Sequence, residues 1–547
     1  MTMTCSNQAM KYPEMKDRRR LLQLLLASTA TWCLPRSAWS RERFASSPFT
    51  LGVASGAPTQ DSVVLWTRLH TAQSVMFGVD DSLGQAGVPV RWELAHDRQF
   101  SRLVQSGQRL ASLELAHSVH VEVSGLEPDR WYFYRFMVGD FVSPVGRTRT
   151  VPRPDAVVAR LRLAYASCQK WEDGFFTAWR HMREENLDLV LFLGDYIYEY
   201  PALNSKVRVP TGGWVLTLDD YRQRYALYKG EADLQAMHAA CPWLLTWDDH
   251  EVQNDYAGVQ AGFSGAAAPS MSENFLARRA AAYQAWYEHM PVRAAALTQG
   301  LAGLAAGAEL RIYSRLPYGQ LASLYLLDGR QYKDPQACTQ GGGVGSSKVK
   351  PSACPQWNDA NRSLLGRQQE RWLYDEFAKL QSGQVRWNVL GQSTLLGQRT
   401  LDSGPGQTFW NDGWDGYASA RTRLTHALRQ YAVINPVVLG GDVHENWVGH
   451  VKADYADPAS LSVGVEFCGT SITSRSGGNA KTAERLAQNP HFVFADAQRK
   501  GYGVVEFTPT ELTTTLRVVD DVTHQDTKIE TLARFVVQAG RPHVELA

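Results

Sequence analysis

The stretch Leu189-Val190-Leu191-Phe192-Leu193-Gly194-Asp195-Tyr196-Ile197-Tyr198-Glu199-Tyr200 sets the terms for everything else in this chain. Five apolar residues follow one another without a polar interruption, which predicts a strand buried on both faces, ended by Gly194-Asp195. A carboxylate at the C-terminal end of such a strand stands where open α/β sheets place their ligands. Tyr198, three residues on, turns back toward the same rim. The expectation is that Asp195 bridges two metal ions and that Tyr198 binds one of them.

Working outward, the same ending recurs. A strand over 161–166 ends at Ser167-Cys168, and a helix over about 173–185 links it to the 189–193 strand as a β-α-β unit. The run 243–247 leads into Asp248-Asp249-His250-Glu251, 324–327 into Asp328-Gly329-Arg330, and 436–439 into Gly440-Gly441-Asp442-Val443-His444. Between them, Ser272 caps a predicted helix through His289, whose Phe275, Tyr283, Trp286 and Tyr287 read as core. A second helix, over about 364–380, precedes a strand at 387–390. Cys168, Asp195, Asp249-His250 and Asp442-His444 all stand at strand ends, and they converge if those strands share a sheet. Four unrelated polar loop starts are the poorer account.

The 547 residues exceed one compact core, so two or three domains are expected. A net charge of +1 gives no reason to expect nucleic acid or an anionic membrane as partner. Asp17-Arg18-Arg19-Arg20-Leu21-Leu22 opens an apolar stretch too short to span a membrane, so 1–40 reads as an export leader of twin-arginine type. The mature protein is then soluble, periplasmic or secreted, with the twin-arginine machinery as a transit partner and no stable membrane anchor. From 45 to 150, short alternating runs such as Val63-Val64-Leu65-Trp66-Thr67 and Trp131-Tyr132-Phe133-Tyr134 predict a small β-sandwich. Val151-Pro152-Arg153-Pro154 is a stiff linker to a unit at 155–520, and 521–547 carries no pattern and reads as a tail. Cys338 and Cys354 flank a Gly-rich loop that a disulfide would close in an oxidising compartment. The loop near 258–269 and the far C-terminal segment are candidates for covering the site.

The residues just quoted carry a resemblance. Gly-Asp-Tyr-Ile-Tyr-Glu at 194–199, Trp-Asp-Asp-His-Glu-Val at 247–252 and Gly-Gly-Asp-Val-His at 440–444 resemble the calcineurin-like metallophosphoesterases, and more closely the PhoD-type alkaline phosphatases. Phe49-Thr50-Leu51-Gly52-Val53-Ala54-Ser55-Gly56, the 281–291 stretch and Trp414-Asp415-Gly416-Tyr417 extend the likeness along nearly the whole mature chain. The resemblance implies an α+β fold: a central β-sandwich flanked by helices in four αββα layers, with an N-terminal Ig/FnIII-like β-sandwich domain. It also implies hydrolysis of phosphate mono- or diesters by a metal-bridging hydroxide.

The residue chemistry stands beside that likeness. Two cations about 3.5–4 Å apart need a bridging anion, which Asp195 supplies. A phenol with a reference pKa of about 10 binds as phenolate only to a strongly Lewis-acidic ion, so Tyr198 points to Fe3+. Cys168 is a soft donor suited to a transition metal, with an inert buried thiol as the alternative, and His444 completes that site. Asp195, Asp249 and Asp442 form a harder second site favouring Ca2+, which the resemblance also implies; Asn254 competes with Asp249 as its direct ligand. Asp248 and Glu251 orient these ligands by hydrogen bonds. The resemblance places His250 beside the leaving-group oxygen, while a metal-ligand role stays open. Arg330 either clamps a phosphate oxygen or makes a structural ion pair. Trp410, Asp412 and Tyr417 either rim a substrate groove or pack. Two rival functions are a phosphodiesterase or phospholipase D-like activity on lipid headgroups or cell-wall polymers, and a non-catalytic exported binding protein.

Overall fold

The unbroken apolar runs are strands with a core on each side. In Leu189–Leu193, Leu189, Leu191 and Leu193 join Leu163, Tyr165, Leu324, Leu326, Val389, Val437 and Leu439 in one buried cluster. Val190 and Phe192 point the other way, among Trp179, Tyr221, Tyr225 and Trp286 from helices. With successive side chains on opposite faces and both faces dry, no position in the strand tolerates a polar residue. The computed structural model describes residues 44–547 apart from 72–86, 203–206, 266–267, 269–273, 297–308, 341–342, 381–384, 403–405 and 458. The expected leader at 1–40, the capping Ser272 and Pro269 at the end of one candidate cover lie outside the described residues.

The chain is a mixed α+β structure built on two large sheets. The first runs in the order Glu545–Leu546, Ile529–Gln538, Glu511–Val519, Lys500–Phe507, Leu161–Ala166, Leu189–Leu193, Trp243–Thr246, Val53–Gly56, Ser62–Arg68, Ser118–Ser124. The second runs Ser314–Tyr318, Ala322–Leu326, Trp387–Gly391, Pro436–Gly440, Ser462–Cys468, Asn446–Lys452, Phe492–Asp496. Behind the second sheet, Tyr325, Leu390 and Val438 pack on Leu373 and Phe377 of the helix Arg367–Ala378 and on Leu424 and Leu428 of Ala418–Gln430. Among the described residues, no helix is long and apolar enough to cross a membrane.

The site-bearing strands do not all share one sheet. Leu161–Ala166, Leu189–Leu193 and Trp243–Thr246 are parallel neighbours, with Leu191 opposite both Tyr165 and Leu244, so their C-terminal ends emerge on one rim. Pro436–Gly440 belongs to the second sheet. It reaches the same rim because Gly441 is pressed against the first sheet's strand end: a Cβ there would stand 2.3 Å from Ser167 Oγ. Convergence comes from a close contact between the sheets.

Other expectations change in detail. The helix expected over 173–185 is a six-residue helix, Thr177–Met182, between 3-10 turns at Trp171–Asp173 and Arg183–Glu185. Phe175 N–H donates to Val522 O (2.7 Å), which holds the chain out of helix just before it. The helix Phe275–His289 buries Phe275, Tyr283, Trp286 and Tyr287 as expected, but starts after Asn274, which makes no side-chain cap bond. The N-terminal strands Val53–Gly56, Ser62–Arg68 and Ser118–Ser124 extend the first large sheet, Gly56 pairing with Trp243. Their other face packs Val63, Leu65, Val119 and Val121 against Val90, Leu94, Tyr132 and Phe136 of a separate five-stranded sheet. The segment read as a patternless tail contains Ile529–Gln538 and Glu545–Leu546, the outermost strands of the first sheet. Cys338 and Cys354 form a disulfide.

Candidate metal centre

Four of the expected ligands share an uncommon backbone. Cys168, Asp195, Asp442 and His444 all have positive φ, at 58°, 60°, 66° and 59°. Such conformations cost side-chain-bearing residues free energy and persist where the surroundings hold them in place, commonly at functional sites. Here the holding is visible. Cys168 N–H donates to Gly194 O (3.0 Å) and Gln169 N–H to Asp195 O (3.1 Å), lacing two strand ends together. Buried Glu251 accepts N–H bonds from Asp195 (3.0 Å), Tyr196 (2.6 Å) and Asp248 (2.9 Å), the orienting part expected of it.

Cys168, Asp195 and His444 present their donor atoms within 4.8 Å of one another. Tyr198 joins them, its hydroxyl donating to Asp195 Oδ2 (2.8 Å) and lying 3.3 Å from His444 Nε2 and 2.8 Å from Ser474 Oγ. Ser474 Oγ in turn donates to Cys168 O (2.8 Å), and His444 Nδ1 is held by Arg475 O (2.7 Å), leaving Nε2 toward the cluster. Asp195 Oδ1 is buried and has no hydrogen-bond partner among the described residues. A carboxylate with one oxygen spoken for and the other orphaned in the interior suits a cation ligand. Burial, then the charges of Asp195 and Cys168, push the Tyr198 phenol far up. Burial, then Asp195, does the same to the Cys168 thiol. Neither becomes an anion in this environment without a strong Lewis acid beside it. The thiolate–phenolate–imidazole–carboxylate set therefore fits a transition ion.

A second group, Asp195, Asp249 and His250, and a third, Asp249, Asp255 and Asp412, meet the same 4.8 Å criterion. Burial and neighbouring carboxylates raise Asp442 to about 8 and Asp255 to about 7. The third group offers carboxylate oxygens alone, which match a hard cation, whereas the second includes the His250 imidazole. Asp442 accepts from Thr394 Oγ1 (2.7 Å). Asn254 donates its Nδ2 to Phe263 O (2.8 Å) and its N–H to Glu199 Oε1 (2.8 Å).

His250 is fixed by a residue that the sequence reading passed over. Its Nδ1–H donates to Glu199 Oε2 (2.7 Å), and the other Glu199 oxygen accepts from Asn254 N–H and Ser264 Oγ (3.1 Å). Burial lowers the His250 pKa, but the surrounding Asp249, Glu199 and Asp195 outweigh it and raise it well above the ordinary value. Tyr198 and Tyr200 flank its ring, with centroids at 4.2 and 5.2 Å. Arg330 is buried among carboxylates, 2.5 Å from Asp248, 3.7 Å from Asp249 and 2.7 Å from Asp412. That is the structural ion-pair arrangement. Asp412 also pairs with Lys333 (2.5 Å), Tyr417 is buried and donates to Asp334 O (2.5 Å), and Trp410 is exposed. Glu199 directly follows Tyr198 and Asp255 follows the Asp249 loop, so both carry a sequence signal; Ser474 and Thr394 carry none.

Known proteins are similar to this chain in sequence and in fold. The family model of the PhoD-like phosphatases matches residues 163–516, and that of the PhoD-like phosphatase N-terminal domain matches 35–152. Alkaline phosphatase D of Bacillus subtilis (strain 168) is 43% identical over 505 residues, covering 90% of this chain and 82% of that protein. A solved structure described as that of PhoD superposes with a TM-score of 0.83 at 41% identity, over 92% of this chain and 93% of that one.

Proposed function

The chain belongs to the PhoD-like phosphatase family, and from that premise we propose that it is an exported, metal-dependent phosphatase acting on phosphate esters. The observation that carries the metal reading is the meeting of Cys168, Tyr198, His444 and the orphaned Asp195 Oδ1 at one rim. Cys168, Asp195, Tyr198 and His444 would hold Fe3+, and Asp195, Asp249 and Asp442 would hold Ca2+, with Asp255 and Asp412 extending the same carboxylate surface. Bound there, the ions supply water activation and neutralise charge on the phosphoryl oxygens.

The chain's own contribution is orientation and proton delivery. Glu199 holds His250 Nδ1–H (2.7 Å), so Nε2 is the nitrogen left to protonate the leaving-group oxygen. Glu251 fixes Asp195 through the backbone, and Arg330 fixes Asp248 and Asp412. The sheets with helices on their outer faces support the superfamily's αββα layering. The leader at 1–40 supports delivery to the periplasm or the cell exterior by the twin-arginine route.

Metal analysis of protein purified from its exported location, together with hydrolysis of 4-nitrophenyl phosphate, tests this reading. Iron with calcium and a turnover lost on chelation is the expected result. Zinc or manganese alone would overturn the ion assignment, and no turnover by metal-replete protein would overturn the phosphatase.

A further inference from the structure

Besides His250, whose part is at the leaving-group oxygen, the cations around the site are mostly committed elsewhere among the described residues. Arg330 and Lys333 are buried and engaged by Asp248 and Asp412. Lys500 donates to His444 O (2.8 Å) and Ser476 Oγ (2.8 Å). Lys170, two residues beyond Cys168, is different. Its ammonium lies 5.7 Å from the Tyr198 ring centroid and 5.4 Å from that of Tyr200, the two rings that flank His250. Its side chain is 22% exposed, and its nearest carboxylate oxygens, on Glu172 and Asp173, stand 3.8 and 4.0 Å away, beyond hydrogen-bond distance. Asp173 is taken by Arg475, at 3.2 Å.

The Lys170 backbone, in contrast, is pinned. Its N–H donates to Ser474 Oγ (3.2 Å) and its carbonyl accepts from Thr473 Oγ1 (2.8 Å), and this same Ser474 touches the Tyr198 hydroxyl. A fixed backbone beneath a partly exposed ammonium with unspent donors, set over the Tyr198 ring, suits an anion arriving from solvent.

We propose that Lys170 binds the non-bridging oxygens of the substrate's phosphate. The proposal rests on the phosphatase reading and sharpens it. A dianionic phosphomonoester gains about twice the Coulomb attraction of a monoanionic diester from one fixed cation. Lys170 therefore biases the site toward terminal phosphate groups.

The test compares wild type, Lys170→Met and Lys170→Arg in metal-replete form. Readouts are KM and kcat for 4-nitrophenyl phosphate and bis(4-nitrophenyl) phosphate, and calorimetric binding of inorganic phosphate. Lys170→Met should raise the monoester KM and the phosphate Kd about 10- to 100-fold, with kcat less affected. The diester KM should rise less, and Lys170→Arg should recover most of the loss. KM and phosphate Kd within twofold of wild type in Lys170→Met would overturn the proposal. So would equal impairment of both variants accompanied by lost metal, which is the signature of a structural role. If wild type hydrolyses no ester, the phosphatase reading fails, yet phosphate binding by the same proteins still decides the role of Lys170.

Discussion

Tyr198 and Glu199 are consecutive residues with opposite duties, and each yields a separable prediction. Tyr198 places its oxygen between Asp195 Oδ2 (2.8 Å) and His444 Nε2 (3.3 Å). If it ligates ferric iron, purified holoprotein should show a visible tyrosinate-to-iron charge-transfer band that Tyr198→Phe abolishes; a band surviving in the variant removes Tyr198 from the metal. Glu199 touches no proposed ligand oxygen; it holds His250 Nδ1. Glu199→Gln should therefore leave metal content unchanged and slow esters in proportion to how badly their leaving group needs a proton. A loss of about 10²-fold is expected with an alkyl phosphate and a much smaller one with a nitrophenyl ester. Equal losses on both would assign Glu199 to packing rather than to orienting His250. At this scale, chemistry marks some residues by type, which is how Cys168, Asp195 and Tyr198 stand out in the sequence, and the fold brings the three together. Ser474 does not stand out, because its part depends wholly on which distant segment folds beside Cys168.

Strand ends explain both what was legible and what was not. A strand dry on both faces writes itself as an apolar run, so Leu189–Leu193 and Pro436–Gly440 were readable. Leu103–Ala111, exposed or half-exposed along most of its length, carries no such mark and was missed. The resemblance implied two packed sheets, but which strand belongs to which was not legible, because either grouping satisfies the same pattern. The close approach of the strand ends depends on glycines, between neighbouring strands of one sheet as well as between the sheets. Gly194 has φ +107°, and a Cβ on it would lie 2.6 Å from both Asp248 Cβ and Asp248 N. Gly194→Ala combines a forbidden backbone with a clash against another strand end, so it should cost about 2–5 kcal/mol. The cost should appear as a lowered denaturation midpoint, with weakened metal retention because Asp195 and Asp248 move apart. A midpoint within about 0.5 kcal/mol of wild type would show that the junction tolerates a side chain.

Across the whole molecule, the last residues close the fold. The strand Ile529–Gln538 sends Ala533, Phe535 and Val537 into the core between the sheets, where the Phe535 ring lies 5.5 Å from Phe494 and 6.2 Å from Phe467. The connection before it is also tied in: Gln525 O accepts from Thr177 Oγ1 (2.9 Å), and Thr527 O bonds His181 Nε2 (2.9 Å). These bonds brace the short helix that follows the Cys168 loop. The segment escaped sequence reading because its apolar residues face only one side, interleaved with Arg534 and Gln538, near the edge of a sheet. Burying three such side chains contributes about 4–8 kcal/mol, comparable to the net stability of a folded domain. A chain ending at Asp520 should therefore be insoluble or bind hydrophobic dyes, and retain no metal. If it remained soluble with a melting temperature close to that of the full chain, the strand would be an ornament on the sheet, and the core would close at Val519 without it.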